Sequence, residues 1–110
     1  MSQNMIEKIE KKLNDSSSLN EATREELLRM LATLKEEVGE LASTHGEEAE
    51  SIAGFAGTSA HEAMRTKTDP QLLELSLKGL SSSAKEFEIS HPKLVEIVNS
   101  MCTMLSDLGI

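Results

Sequence analysis

Aromatic side chains are almost missing from this chain of 110 residues. It has no Trp, no Tyr and only two phenylalanines, Phe55 and Phe87. Strands are enriched in aromatic and β-branched residues, whereas helices favour Ala, Leu, Glu, Lys and Met, which are abundant here. The composition therefore predicts an all-α protein, and the length predicts a single helical domain over residues 1–110.

Cysteine and long apolar runs are scarce as well. Cys102 is the only cysteine, so the chain cannot form an internal disulfide and nothing suggests an oxidising compartment. Residues 1–13 mix charges every few positions and lack an apolar core of signal-peptide length. No apolar run approaches the ~20 residues that cross a bilayer. We therefore expect a cytoplasmic protein.

Positive charge is also in short supply. Eleven basic and nineteen acidic residues leave a net charge near −8. Phosphate backbones and anionic lipid headgroups repel such a chain, because it has few cations with which to release their counterions. We therefore expect neither nucleic acid nor a membrane surface as a partner, whereas an unknown protein partner remains possible.

The apolar residues that are present recur at the three- and four-residue spacing of helices. This spacing predicts a short helix over about 3–13, one long helix over about 20–66 and two helices after it. Asn20 is a suitable cap for the long helix, since its side chain can accept from amides of the first turn. The seam of the long helix consists of Leu27, Leu31, Leu34, Val38 and Leu41.

The long helix has one weak point, at residues 43–46. His45 interrupts the leucine seam, and Gly46 could end a helix in the left-handed conformation. Alanines nevertheless continue at a period of seven from Ala42 to Ala63. A continuous helix is favoured for this reason, and a break at 43–46 is the alternative.

Two proline-containing segments mark the later helix boundaries. Asp69 can cap a helix that has Pro70 at its first position, where the missing N–H matters least. The C-terminal helices are split at Ser90-His91-Pro92, because proline disfavours helical geometry at the residue before it. We expect Ser90 to cap the last helix.

Folding the chain near residues 68–69 gives an antiparallel helical hairpin, a coiled-coil-like bundle in which small side chains face large ones. Such a hairpin has too little interior for its apolar side chains. Those that lie off the seams are Leu28, Met30, Leu72, Ile97 and Met104. Because exposed apolar surface usually marks an interface, a homodimer is favoured, with a compact monomeric bundle as the alternative.

The alanine-rich stretch 49–64 is interpreted as a helix surface suited to close packing, either in the hairpin or in a dimer. The predicted interface residues are Ala49, Ala53, Ala56, Ala60, Ala63, Ile52, Phe55, Ile97 and Met104.

No complete catalytic constellation and no cofactor motif is present. The glycines at 54–60 lack the lysine of a phosphate-binding loop, and Cys102 has no nearby histidine on its helix to activate it. The hairpin alignment does bring His45 close to His91, with Glu88 nearby, and two imidazoles with a carboxylate could bind a divalent metal. A solvated helix junction with two unrelated histidines is the favoured interpretation.

The ending FEISHPKLVEIVNSMCTMLSDLGI (87–110), together with Ser18-Leu19-Asn20-Glu21 and the following Arg24, resembles a small bacterial family. This family is the domain of unknown function four-four-zero-four (DUF4404). The likeness rests on a Phe-Glu-x-Ser-His-Pro-x-Leu junction and a terminal Gly-Ile, and it lapses over the alanine-rich stretch 46–68. The resemblance implies a helical cytoplasmic protein and transfers no catalytic residues.

The expected function is therefore that of a non-enzymatic, oligomeric helical protein that acts through protein–protein interaction, as a scaffold, an adaptor or a chaperone-like binder. A dimer is the favoured oligomer. The alternative is a metal-binding helical bundle with His45, His91 and Glu88 as ligands.

Overall fold

The computed structural model describes residues 2–17 and 19–109, and in these residues it forms five α-helices and no strand. The helices are α1 (Ser2–Asp15), α2 (Glu21–Ala42), α3 (Gly46–Ala63), α4 (Pro70–Lys85) and α5 (Pro92–Leu108). The predicted all-α fold is confirmed. None of the helices in the described residues is both long and apolar enough to cross a membrane.

The prediction of one continuous helix over 20–66 is wrong, and the alternative break is present. α2 ends at Ala42 and α3 begins at Gly46. His45, with φ −133° and ψ 65°, lies outside the helical region. The period-seven spacing of the alanines does not reflect one continuous buried face, because Ala42 at the end of α2 is exposed whereas Ala49, Ala56 and Ala63 of α3 are buried.

Residues of the short link between α2 and α3 donate hydrogen bonds to the last carbonyls of α2. The backbone N–H of His45 donates to the carbonyl of Leu41 at 2.7 Å, and the hydroxyl of Ser43 donates to the carbonyl of Glu40 at 2.7 Å. The left-handed conformation that the alternative break suggested for Gly46 is absent, since none of the described glycines has a positive φ. Gly46 is instead the first residue of α3.

Two of the predicted helix caps are confirmed. The side chain of Asn20 accepts from the N–H of Thr23 at 2.8 Å, at the start of α2. The carboxylate of Asp69 accepts from the N–H groups of Gln71 and Leu72 at 3.0 and 3.3 Å, at the start of α4. These bonds satisfy amides that have no partner within the helix.

The cap predicted for the last helix is wrong by one residue. α4 ends at Lys85 and α5 begins at Pro92, so His91 holds the N-cap position. Pro92 is the first helical residue, so the N-cap is the residue directly before it, and Ser90 lies one residue too early. The hydroxyl of Ser90 lies 3.0 Å from Nδ1 of His91 instead.

The last four helices form one bundle, and α1 covers one side of it. α2 and α4 each pack against both α3 and α5, while α1 lies on α2 and α3. The guanidinium of Arg24 donates to the carbonyl of Leu13 at 3.0 Å, and Lys35 pairs with Glu7 at 2.7 Å, which fixes α1 along α2. The largest fully buried side chains are Ile6, Leu13, Leu27, Leu31, Leu34, Val38, Leu41, Ile52, Leu80, Leu94, Met101 and Leu105.

The extended hairpin is replaced by this compact bundle. A continuous helix over 20–66 would be about 70 Å long at 1.5 Å per residue, whereas the longest dimension of the molecule is 37 Å. Because the chain turns at 43–45, α3 packs against α2 instead of prolonging it.

Most of the apolar side chains that a hairpin would expose are covered here. Leu28, Met30, Ile97 and Met104 are half-buried against the core, and only Leu72 remains 44% exposed. Less apolar surface is therefore exposed than the sequence suggested, and the argument for a dimer is weaker. An interface would have to include the apolar side chains that stay exposed.

Candidate interaction face and histidine junction

The alanine-rich stretch points into the molecule. Six of the nine predicted interface residues are covered by their own chain, with at most 5% of each side chain exposed: Ala49, Ile52, Ala53, Ala56, Ala60 and Ala63. They are therefore not accessible to a second chain in this fold. Phe55 is at the surface, while Ile97 and Met104 are half-buried on α5. An interface role for these three stays a prediction.

Among the described residues, three of the four exposed large apolar side chains lie on α3 and α4. Phe55 is 40% exposed, Leu72 44% and Leu75 65%, whereas Ile89, at 94%, belongs to the link between α4 and α5. The three- and four-residue spacing places one set of residues on the outer side of each helix. We name the surface that they form the α3–α4 face: Ser51, Phe55 and Thr58 of α3, and Leu72, Leu75, Gly79 and Ser82 of α4.

Gly79 allows the ring of Phe55 to lie across α4. A methyl group at Gly79 would overlap three atoms of that ring, so any larger residue there would force the ring to move. A shallow cleft of about 340 Å³ runs beside the ring and includes Ser51 and Ser82. The centre of the α3–α4 face is thus a half-exposed aromatic ring between small polar side chains.

Charge is absent from the stretches of the two helices around Phe55 and Gly79, whereas Leu75 is flanked by the exposed ion pair of Glu74 and Lys78, at 3.0 Å. Residues 51–60 of α3 and 79–84 of α4 contain no charged side chain. At the end where α3 begins, Glu48 and Glu86 line the same cleft as Phe55. We name this the acidic end.

The opposite end of α3 carries a group of basic side chains. Nζ of Lys12 lies 2.9 Å from Nδ1 of His61, and Arg65 pairs with Glu62 at 2.9 Å. Lys12, His61 and Arg65, together with Lys67, line a cleft of about 400 Å³. We name this the basic end. Cations are favourable here in part because α3 ends nearby with unpaired carbonyls.

Phe87 connects the two links between helices. Its ring is 3% exposed and is flanked by the imidazoles of His45 and His91, at centroid distances of 5.3 and 5.7 Å and interplanar angles of 75° and 88°. Nδ1 of each histidine is hydrogen-bonded to the hydroxyl of the preceding residue, Thr44 or Ser90, at 2.8 and 3.0 Å. Edge-to-face ring contacts of this kind stabilise a fold by ~0.5–1.5 kcal/mol each.

The two candidate histidine ligands, His45 and His91, both contact the ring of Phe87 at this junction. The third candidate, Glu88, is exposed in the link between α4 and α5. Among the residues that the structure describes, no group of three or more His, Cys, Asp or Glu side chains is placed to hold a metal ion.

The two links also share one backbone geometry. His45 and His91 are 46 residues apart in the sequence, and their φ/ψ values are −133°/65° and −136°/65°. Each histidine N–H donates at 2.7 Å to the carbonyl four residues earlier, of Leu41 or Phe87. The chain therefore contains two helix–histidine–helix units of the same local structure. The residue four positions before the histidine is Leu41 in the first unit and Phe87 in the second.

Cys102 faces a groove between α4 and α5. Its thiol donates to the carbonyl of Leu77 at 3.7 Å, and burial raises the pKa of the thiol. A thiol that stays protonated is a weak nucleophile. The structure thus supplies a physical cause for the low reactivity that the sequence predicts.

Sequence reasoning missed Leu75 and Gly79. Leu75 lies between the seam residues Leu73 and Leu77, so it points away from the core at helical spacing. That signal is readable once α4 is placed. The role of Gly79 under the ring of Phe55 depends on how α3 and α4 pack, and no pattern along one helix shows it.

The family model of DUF4404, a domain of unknown function, matches residues 27–110. The matched range includes 46–68, where the sequence suggested that the likeness lapses, and it begins after Ser18–Arg24, which the resemblance had included. No curated protein and no solved structure matches the chain.

Proposed function

We propose that this chain, which belongs to the DUF4404 family, is a non-enzymatic helical protein that acts through protein–protein contact as an oligomer, in a scaffold, adaptor or chaperone-like role. A dimer is the favoured oligomer. The net charge near −8 speaks against nucleic acid and membrane partners. The single cysteine suits a cytoplasmic location.

The observation that carries this proposal is the grouping of exposed apolar side chains on the α3–α4 face. Single exposed apolar residues are ordinary on a protein surface, and Ile89 is one of them. Phe55, Leu72 and Leu75 instead lie on the outer sides of α3 and α4, two helices that pack against each other. An aromatic side chain surrounded by uncharged residues is the usual composition of the core of an interface.

The dimensions of the face suit an association of moderate strength. α3 has 18 residues and α4 has 16, and two such helices side by side present roughly 25 × 20 Å, or about 500 Å². A stable interface of standard size buries about 800 Å² on each partner. The face alone therefore predicts a reversible dimer whose population depends on protein concentration.

Sedimentation velocity over a range of concentrations tests the proposal. Interference optics are required, because a chain without Trp and Tyr absorbs very little at 280 nm. Leu75→Glu places a carboxylate on the face at a position already 65% exposed, so the fold should tolerate it. We expect its dimer dissociation constant to rise about tenfold or more, because a two-fold dimer would bury two unpaired charges.

Ile89→Glu is the matched control. It makes the same change of charge at an apolar residue that is 94% exposed and lies outside the face, and it should leave the dissociation constant within about twofold of wild type. A wild-type chain that stays monomeric at every concentration would refute the proposal. So would an equal effect of the two substitutions.

A further inference from the structure

The cleft of the basic end differs in sign from the chain as a whole. The chain carries a net charge near −8, yet the residues that line this cleft include four basic side chains and no acidic one. These residues are Lys12, His61, Met64, Arg65, Thr66 and Lys67. They come from α1, from the last turn of α3 and from the link that follows α3. Three parts of the chain thus bring positive charge to one concave surface.

The contact between Lys12 and His61 leaves the charge of the lysine in place. Nζ of Lys12 lies 2.9 Å from Nδ1 of His61. An ammonium group donates hydrogen bonds and accepts none, so the lysine is the donor and Nδ1, without a proton, is the acceptor. A neutral imidazole satisfies one N–H of the ammonium group, but it supplies no negative charge to balance it.

The carboxylates nearest to this cleft in the sequence already have partners. Glu62 pairs with Arg65 at 2.9 Å, and the carboxylate of Asp69 accepts from two N–H groups at the start of α4. Neither Lys12 nor Lys67 forms an ion pair with any residue that the structure describes. The surplus positive charge of the cleft therefore comes from these two lysines, and such a charge attracts anions.

The link between α3 and α4 adds hydrogen-bond donors to the same place. The N–H groups of residues 66–69 have no acceptor within the described part of the chain, whereas those of Met64 and Arg65 donate to carbonyls of α3. Thr66 and Lys67 line the cleft. Backbone N–H groups without an internal acceptor bond to water or to a ligand, and successive ones are a recurrent part of anion sites.

We infer that the cleft of the basic end binds a phosphate group, as the free ion or as a small phosphomonoester. A phosphomonoester carries a charge of about −1.5 to −2 and three strong acceptor oxygens at neutral pH. These match two uncompensated lysines and a run of free N–H groups, whereas a carboxylate, with one charge, would balance only one of the lysines. The volume of about 400 Å³ lies in the range of small-molecule sites.

The acidity of the chain restricts this ligand to a small one. Repulsion by a net charge near −8 grows with the number of phosphates, so it opposes a nucleic acid or an anionic membrane far more than a single phosphate group. The site goes beyond the proposed function and does not depend on it, because none of its lining residues belongs to the α3–α4 face.

NMR titration of the full chain with inorganic phosphate tests the inference. ¹H–¹⁵N spectra are recorded at constant pH and constant ionic strength while phosphate replaces chloride. We expect saturating shifts at the amides of residues 66–69, with a roughly millimolar dissociation constant because the cleft is open to solvent and salt. Shifts that rise linearly with phosphate, or that spread evenly over all five helices, would overturn the inference.

Neutral variants of the two lysines test which side chains hold the anion. Lys12→Gln and Lys67→Gln should each raise the dissociation constant about two- to fivefold, and together about four- to 25-fold if the two contributions add. Lys93→Gln is the matched control, because it removes the same charge from an exposed lysine of α5 that lies outside the cleft.

The control variant should bind phosphate within about 1.5-fold of wild type. Equal effects of the three single substitutions would show that only the net charge matters, and the site would then be refuted. All three side chains are exposed, so circular dichroism can confirm that each variant is folded.

A parallel titration with glycerol 3-phosphate distinguishes the two forms of the ligand. Tighter saturable binding of the ester assigns the cleft to phosphomonoesters, and equal or tighter binding of inorganic phosphate assigns it to the free ion. If neither compound gives saturable shifts at residues 66–69, the cleft is not a phosphate site. Sedimentation of the Leu75→Glu variant tests the proposed function separately, so the two can fail independently.

Discussion

Ser59 carries a buried hydroxyl without a visible partner. Its side chain is 0% exposed, inside α3, and its Oγ has no hydrogen-bond partner among the described residues. Burying an unpaired hydroxyl costs ~1–3 kcal/mol. Replacing Ser59 with alanine removes that group without changing the backbone, so we expect Ser59→Ala to stabilise the protein.

The size of the gain follows from three terms. Removal of the unpaired hydroxyl contributes ~1–3 kcal/mol, and the better helix propensity of alanine adds up to ~0.7 kcal/mol. The void left by one oxygen atom, about 15 Å³, costs only ~0.4 kcal/mol at ~24 cal/mol per Å³. The net expectation is a gain of ~1–3 kcal/mol in the free energy of unfolding, or about 4–14 °C in Tm.

Urea unfolding followed by circular dichroism at 222 nm measures this gain, since the chain has no Trp for fluorescence. Protein concentration must be held constant, because association also raises apparent stability. Ser76→Ala is the matched control. Ser76 is 5% exposed, but its hydroxyl donates to the carbonyl of Leu73 at 2.9 Å, so its removal should leave stability almost unchanged or slightly lower.

The comparison of the two serines decides the outcome. If Ser59→Ala unfolds at a lower urea concentration than wild type, the hydroxyl of Ser59 is hydrogen-bonded in the folded protein and the reasoning is refuted. An equal effect of the two substitutions would also refute it, because it would show that the missing partner of Ser59 has no energetic consequence.

Three further predictions concern other parts of the bundle. Phe87→Ala should lower the free energy of unfolding by ~3–5 kcal/mol in the same assay, whereas Phe87→Leu, which copies the residue at the equivalent Leu41, should retain most of it. Gly57→Ala should raise the free energy of unfolding by up to ~1 kcal/mol in the same assay, because the added Cβ enters open space. Burial raises the pKa of Cys102, so the thiol stays protonated to higher pH than a free cysteine. Its alkylation by iodoacetamide, followed by mass spectrometry near neutral pH, should be slower in the native protein than in urea, and equal rates would contradict this.

Some parts of the candidate site could be read from the sequence and others could not. Leu72 stands out in the sequence because it lies off the main seams, and it is at the surface; Phe55, which was named as an interface residue, is at the surface as well. His45 and His91 were expected to come close, and the structure places each of them in edge-to-face contact with Phe87. This shared contact was not foreseen, because a contact of two links around one ring depends on how four helices meet.

The alanines show where sequence reasoning stops. A stripe of small residues predicts close helix packing, but it does not say whether the neighbouring helix belongs to the same chain. In this fold α1, α2, α4 and α5 all pack against α3, so residues such as Ala53 and Ala56 are fully buried. The partners of a helix face are a property of the whole arrangement.

The sequence by itself determined the all-α class and most of the helix boundaries, because helix propensity, side-chain caps such as Asn20 and Asp69, and proline geometry act over a few residues. Only the tertiary structure decided the break at 43–45 and the surface that remains exposed. A continuous helix would have left apolar side chains of α2 and α3 without cover, and a turn of three residues lets both helices bury them in one core. The stabilisation by this burial comes from contacts between residues that are far apart in the sequence. The pattern of residues within one helix does not show which of these contacts form.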